Sequence, residues 1–559
     1  MKTRRYNNMV WALLVAVLLG TMTTSCERDN EVEALNNPYE ANQSESEPTS
    51  PEEEDQFVKA LSAIPGISDV RMDQVILDTR KGYYFKVEQL VDNSDVSKGT
   101  FKQLCLLEIT DLEAPVVLYT NGYNLDTYIG NVETEDVAKY LNANTLHVEH
   151  RYFGQSLPED ANDLNFTYFN AQQAAADLHR VVTLLKQHIF TKGNKWMSTG
   201  ASKCGINTTL YAYYSDLYGW DDIDLYVPFC APFLVGTPQS PADKSVGTYL
   251  KDMCGSHYPA NSPQAKAYQY LRAYPSAIAN NKALRDACLR QFNQTDSYSY
   301  LRLLKDYPND IERAATAGVI FEFYAYLAEK FSLLDFSNWC SLVPDPTAIS
   351  TTKPEDDFRL YEVLEFIFMD KKRLAVKLAT QTEEDDDETD LAQTRSGLTE
   401  DEIRKLRSID PTSPYDIQAV RELGSMFFDF SLLPANSFVT SDYCEQVAMN
   451  SLAPVANYEL YKGQWDGGKL MTSVRNWVNT TKKHILFVYG TNDPWTGGAI
   501  DSGNPWPGEV LAVNPANANV SKVLSLYTNH DNSFLDAKSY SAAASNAIKQ
   551  VVDKYMKGK

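Results

Sequence analysis

The chain has 559 residues, with 74 acidic against 51 basic side chains and a formal net charge of −23. That balance excludes nucleic acid and an anionic membrane surface as electrostatic partners, and the length exceeds what one hydrophobic core fills, so two domains are expected. The eight cysteines stand far apart with no C-x-x-C pair, so no zinc-type Cys/His pattern is legible and neither a metal nor a cofactor is expected.

Taken from the N-terminus, Lys2, Arg4 and Arg5 precede the apolar run Met9 to Gly20, and Cys26 follows Thr23-Thr24-Ser25. This is the layout of a secretory signal over 1–26 ending at a lipidated Cys26, which predicts a cell-envelope lipoprotein of the outer membrane, facing the periplasm or the exterior, that touches the membrane only through its anchor. Residues 27–55, rich in Glu, Asn, Ser and Pro, lack the apolar side chains to bury a core and read as an acidic leash. In an oxidising compartment some of the other seven cysteines would pair; an odd number leaves at least one thiol, and the connectivity stays open.

From 56 to 234 strands alternate with helices. Strands are predicted at 73–77, 83–90, 101–109, 115–120, 145–149, 195–198 and 225–228, and helices at 134–142, 170–188 and 206–215. Such alternation predicts an α/β fold, a mostly parallel sheet covered on both faces. From 235 to 475 helical periodicity takes over, at 262–281, 310–332, 357–378 and 399–407, which predicts a large helical cap inserted into the sheet domain. The acidic run Glu383 to Asp390 inside it reads as a solvated loop. Residues 476–559 return to the sheet, with strands at 485–489 and 522–527 and a closing helix at 541–555.

Three segments carry chemistry. In Lys195 to Gly205 a β-rich run turns at Ser202 directly into a helical run, the layout of a nucleophile elbow. The strand ending at Tyr489 runs into Asp493, and a later one into His530, so the order Ser, Asp, His is that of α/β-hydrolases. A serine hydroxyl is a weak nucleophile at neutral pH; an imidazole must take its proton, and a carboxylate must orient that imidazole. Where glycine is common, two residues after the serine, the chain has Cys204, a small residue read as a local adjustment. The oxyanion hole is sought in the amide of Lys203 and in the loop Asn121-Gly122-Tyr123 after the strand 115–120, where the glycine would permit a tight turn.

Val117-Leu-Tyr-Thr-Asn-Gly-Tyr123, Glu149-His-Arg-Tyr-Phe-Gly-Gln-Ser156, Ala174-Ala-Ala-Asp177-Leu-His179, Gly200-Ala-Ser202-Lys and Tyr489-Gly-Thr-Asn-Asp493-Pro-Trp together resemble the secreted bacterial prolyl tri/tetrapeptidyl aminopeptidases, serine peptidases of α/β-hydrolase type distantly similar to lysosomal prolyl carboxypeptidase. The resemblance implies Ser202, Asp493 and His530 as the triad and a peptide substrate that enters by its free N-terminus and loses three or four residues, often after proline. This chain departs from the family's Ser-Lys-Gly-Gly at Cys204. Such an exopeptidase needs a carboxylate for the protonated amine and an aromatic wall for proline. Glu322 and Glu422, each near aromatic residues, are candidates, and the charged cluster with Glu149 and Arg151 could position substrate or brace the catalytic loops. An esterase or other acyl hydrolase, and a surface lipoprotein that binds peptides without turnover, remain as alternatives; the oligomeric state stays open.

Overall fold

The computed structural model describes residues 56–558 apart from 74–80, 126–135, 159–165, 237–242, 351–357, 370–373, 375–413, 425, 453–463, 501–508 and 531–541. The signal segment with Cys26, the leash, the acidic run from Glu383 and the helix expected at 399–407 lie outside the described residues.

Among the described residues ten strands form one sheet: β1 (Ile67–Asp73), β2 (Lys81–Leu90), β3 (Thr100–Ile109), β4 (Val116–Thr120), β5 (Asn144–Val148), β6 (Trp196–Ala201), β7 (Leu225–Phe229), β8 (Ile485–Gly490), β9 (Val510–Asn514) and β10 (Asn517–Ser525). They run in the order β1-β2-β3-β5-β4-β6-β7-β8-β10-β9. The block from β5 to β10 pairs in parallel, while β1, β2 and β3 at one edge and β9 at the other pair antiparallel. The central strands β4, β5 and β8 are buried at every residue, because helices cover both faces. On one face Val181, Val182, Ile206 and Leu210 of helices Ala171–His188 and Lys203–Tyr218 pack against the sheet; on the other, Val137, Ile548 and Val552 of helices Asp136–Leu141 and Ala542–Met556 do so. A mostly parallel sheet of this order, with a helical insert after β7, is the α/β-hydrolase fold.

Between β7 and β8 every described element is a helix. The longest, Ile311–Leu333, is apolar nearly all round and runs through the middle of a separate core that extends from Leu250 to Leu452. Helix Lys469–Trp477 already belongs to the sheet, since Met471 and Val474 join its core.

Two strands escape the sequence pattern. β1 (ISDVRMD) mixes charges into a strand that has a neighbour on one side only, and β9 is a partly exposed edge. β10 stops at Ser525 and not at Tyr527, where the backbone turns to φ 63°. The seven described cysteines are all buried and unbridged.

Candidate active site

Ser202 stands between β6 and the helix Lys203–Tyr218 at φ 57°, ψ −125°, a backbone conformation that costs a non-glycine residue about 1–3 kcal/mol. The turn is held from three sides. The Ser202 amide donates to the Phe229 carbonyl (2.9 Å) and its carbonyl accepts from the Ile206 amide (3.0 Å). A Cβ on Gly200 would lie 2.6 Å from Cys204 Cβ, and one on Gly205 would lie 2.7 Å from the Phe229 carbonyl oxygen. Close helix-to-strand approach thus falls on Gly205, which is why position 204 tolerates a side chain.

Because β6, β8 and β10 are parallel, Ser202, Asp493 and His530 follow strand ends on one edge of the sheet. Asp493 is fully buried; its Oδ2 lies 2.9 Å from His530 Nδ1 and its Oδ1 accepts from the Trp495 amide at 3.0 Å. That bond places the proton on Nδ1 and leaves Nε2 as the basic nitrogen. Nε2 makes no hydrogen bond among the described residues. Asp493 and His530 are therefore joined, while Ser202 Oγ is not hydrogen-bonded to the imidazole in this structure; such bonds often tighten only with substrate bound.

The expected oxyanion loop is built differently from the sequence expectation. Gly122 does not adopt a positive φ; it is glycine because a Cβ would meet the Lys203 stem at 3.0 Å. Its amide donates to Cys204 Sγ at 3.1 Å, so that donor, expected for the oxyanion, is directed at sulfur. Lys203 is itself buried. Its Nζ donates to the Gly122 carbonyl (2.5 Å) and lies 4.9, 4.5, 5.7 and 5.5 Å from the ring centres of Tyr123, Phe153, Phe169 and Tyr415. One residue thus offers its amide beside the nucleophile and clamps the facing loop with its side chain, the cation being stabilised by aromatic faces. His150 packs edge-on against Phe153 and Phe169. Burial, with the Lys203 charge next in size, pushes its imidazole well below the usual histidine range and keeps it neutral.

Glu149 and Arg151 are fully buried and bonded to the surrounding loops. Glu149 Oε1 accepts from the Leu125 amide, and Oε2 from the Gln155 amide and Ser156 Oγ. All five Arg151 donors are used: a two-pronged pair with Asp177 at 2.7 Å, and the carbonyls of Leu90, Val91 and Tyr168. Burial pushes the Asp177 carboxyl up in spite of its partner. Arg151→Met is expected to lower unfolding stability by about 3–5 kcal/mol by leaving Asp177 buried and unpaired, with KM unchanged; urea titration and steady-state kinetics check both.

Glu322 is buried and Glu422 is engaged by neighbouring groups. Glu322 lies inside the core of the insert with Phe321, Phe323 and Tyr324, and the residues Phe427, Phe428 and Phe430 join that core instead of forming a proline wall. Glu422 accepts from the Ala171 amide at 2.7 Å, at the start of helix Ala171–His188, and from Gln418 Nε2, and burial raises it to about 7. Burial, with Asp296 nearby, pushes Glu322 from 4.5 to about 8. A raised folded-state pKa contributes stability that is complete below 4.5 and lost as pH rises through about 8. Glu322→Gln should match the wild type in thermal unfolding below pH 4.5 and exceed it increasingly up to pH 8.

The insert reaches the site through contacts with no sequence signature. The Ser332 carbonyl, at the end of helix Ile311–Leu333, accepts from the His530 amide at 3.0 Å. Next to Asp493, Asn492 is held by the Gly255 amide and donates to Tyr258 Oη, and Tyr258 stacks on Tyr527 at 4.2 Å.

Residues 50–265 match the family described as PS-10 peptidase S37. The prolyl tri/tetrapeptidyl aminopeptidase of Streptomyces mobaraensis is 33% identical over 144 residues, 25% of this chain and 28% of that one, so the match spans under a third of the relative's length. Both findings bear out the resemblance stated from the motifs. The family match contains Ser202 and Lys203 and ends before Asp493 and His530. Among solved structures, bromoperoxidase from Bacillus anthracis aligns over 84% of this chain and 99% of its own, at 11% identity and a TM-score of 0.31. The rice cell wall degrading esterase LipA from Xanthomonas oryzae, in a ligand-bound form, aligns over 89% and 95%, at 12% identity and a TM-score of 0.33.

Proposed function

We propose that the chain is a serine peptidase in which Ser202 attacks the scissile carbonyl, His530 Nε2 takes the serine proton and returns it to the leaving amine, and Asp493 holds the imidazole and stabilises its charged form. The observation that carries this reading is a serine in a strained strand-to-helix turn on the same sheet edge as a buried Asp493–His530 pair. The tetrahedral oxyanion is received by the amides of Lys203 and Tyr123, the Gly122 amide being engaged by Cys204. Water then releases the acyl group by the same steps.

In the finer form of the proposal the substrate is an unfolded peptide with a free N-terminus, from which three or four residues are released, often after proline, by a secreted, lipid-anchored enzyme of the cell envelope. The name of the Streptomyces relative supports the reaction. Trp495, with its ring 6.2 Å from that of His530, and the Tyr258–Tyr527 stack beside Asn492 support an apolar wall for a proline ring. The large helical insert, in contact with His530, favours slender peptides over folded proteins.

Tripeptide amides ending in proline or alanine, with free and with blocked N-termini, test this reading. Cleavage of the free peptides alone, with proline preferred, is the expected result. Equal cleavage of blocked peptides contradicts the exopeptidase form, and turnover of simple esters without any amide cleavage replaces the peptidase by an esterase.

A further inference from the structure

A third side chain meets the Asp493–His530 pair, and the mechanism has no use for it. Cys230 follows β7, one strand over from β8. One ligand atom from each of Cys230, Asp493 and His530 lies within 4.8 Å of the other two, and no other group of three such residues occurs among the described residues. Cys230 sits at φ 49°, in the left-handed region. Such a conformation persists only where the surroundings impose it, and here its amide is bonded to the Val488 carbonyl at 2.8 Å and the carbonyl of Phe229, the residue before it, accepts from the Ser202 amide at 2.9 Å. The backbone that carries the thiol is therefore fixed beside the pair. His530 is the most exposed of the three, so an ion would arrive from its side.

Thiolate, imidazole and carboxylate form the ligand set that suits Zn2+ and related borderline-soft cations. We propose that Cys230, Asp493 and His530 form an inhibitory site for Zn2+ and its congeners. The site is not one for a resident metal: the 2.9 Å bond between Asp493 and His530 is intact, and the cation must replace it. Cys230 gives up its thiol proton to solvent, the Nδ1 proton of His530 shifts to Nε2, and the metal takes one lone pair each from sulfur, the freed Nδ1 and a carboxylate oxygen, leaving a fourth position to water. The imidazole can then no longer serve as base.

This inference rests on the serine-peptidase reading for its effect on activity but not for its binding chemistry, so two readouts are used. The first is peptide hydrolysis under increasing Zn2+, followed by EDTA. The second is Co2+ titration of the full chain, monitored by the thiolate-to-cobalt charge-transfer band. The wild type should lose activity reversibly and show the band. Cys230→Ser and Cys230→Ala should keep full basal activity, lose the band, and need far more Zn2+, since losing a direct ligand should cost more than the roughly 10–100-fold seen for outer-shell partners. Unchanged Zn2+ sensitivity in both variants, or no band in the wild type, overturns the proposal. A wild type that shows the band yet cleaves no peptide keeps the metal site and fails the peptidase reading instead.

Discussion

Asp493→Asn is expected to lower kcat by about four orders of magnitude while leaving the fold intact. Asp493 is fully buried and accepts two bonds, Oδ2 from His530 Nδ1 and Oδ1 from the Trp495 amide. An asparagine fits the same space but has one oxygen and one NH2 group. If the oxygen keeps the Trp495 amide, the NH2 group must donate to Nδ1, which forces the imidazole proton onto Nε2 and removes the acceptor that Ser202 needs. If the oxygen turns to Nδ1, an N–H is opposed to an N–H at Trp495 inside a dry site. The second arrangement is disfavoured by its two opposed donors, so the first prevails and the base is disabled. Turnover on a cleaved peptide, with thermal unfolding as the control for folding, measures this; a loss below tenfold in a folded variant would show that Asp493 does not orient the base.

Lys203→Met should separate activity from stability. Methionine keeps an apolar stem along Gly122 and removes the bond from Nζ to the Gly122 carbonyl. Loss of one oxyanion-hole donor typically costs about 100–1000-fold in kcat; Lys203→Met loosens the loop without deleting a donor, so a fall of about 10–100-fold is expected, with KM little changed. Stability moves the other way or stays put. The favourable contacts to four rings are lost, but so is the desolvation cost of a buried cation, and replacing a buried charge by an apolar group of similar volume is often neutral or stabilising. Parallel loss of melting temperature and kcat would make Lys203 a packing residue; a lower kcat at an unchanged melting temperature identifies it as a positioning residue. Arg151→Met supplies the contrasting pattern.

What was legible in the sequence follows from how locally each feature is encoded. The elbow is written within a dozen residues, since a strand, a glycine-flanked serine and a helix are adjacent in the chain. Asp493 and His530 were legible because each directly follows an apolar strand. The edge strands were not: β1 carries Asp69 and Arg71 inside it, and β9, although it reads Val-Leu-Ala-Val, is a run of five residues with one partner only, too short to be told from other apolar segments by periodicity. The Lys203 cage draws rings from four separate segments, and the Ser332-to-His530 contact is between backbone groups, for which side-chain identity gives no signal. Glu322 is a related case: a carboxylate among aromatic residues reads as a binding group in sequence, whereas the fold buries it beside a core that holds those rings.

Labelling with a fluorophosphonate probe, followed by peptide mapping, tests the central claim most directly, because only a serine activated by a neighbouring base reacts. The expected result is a single adduct on Ser202, absent in Ser202→Ala and in His530→Ala. An unlabelled, folded wild-type chain, or an adduct on another residue, would contradict the account.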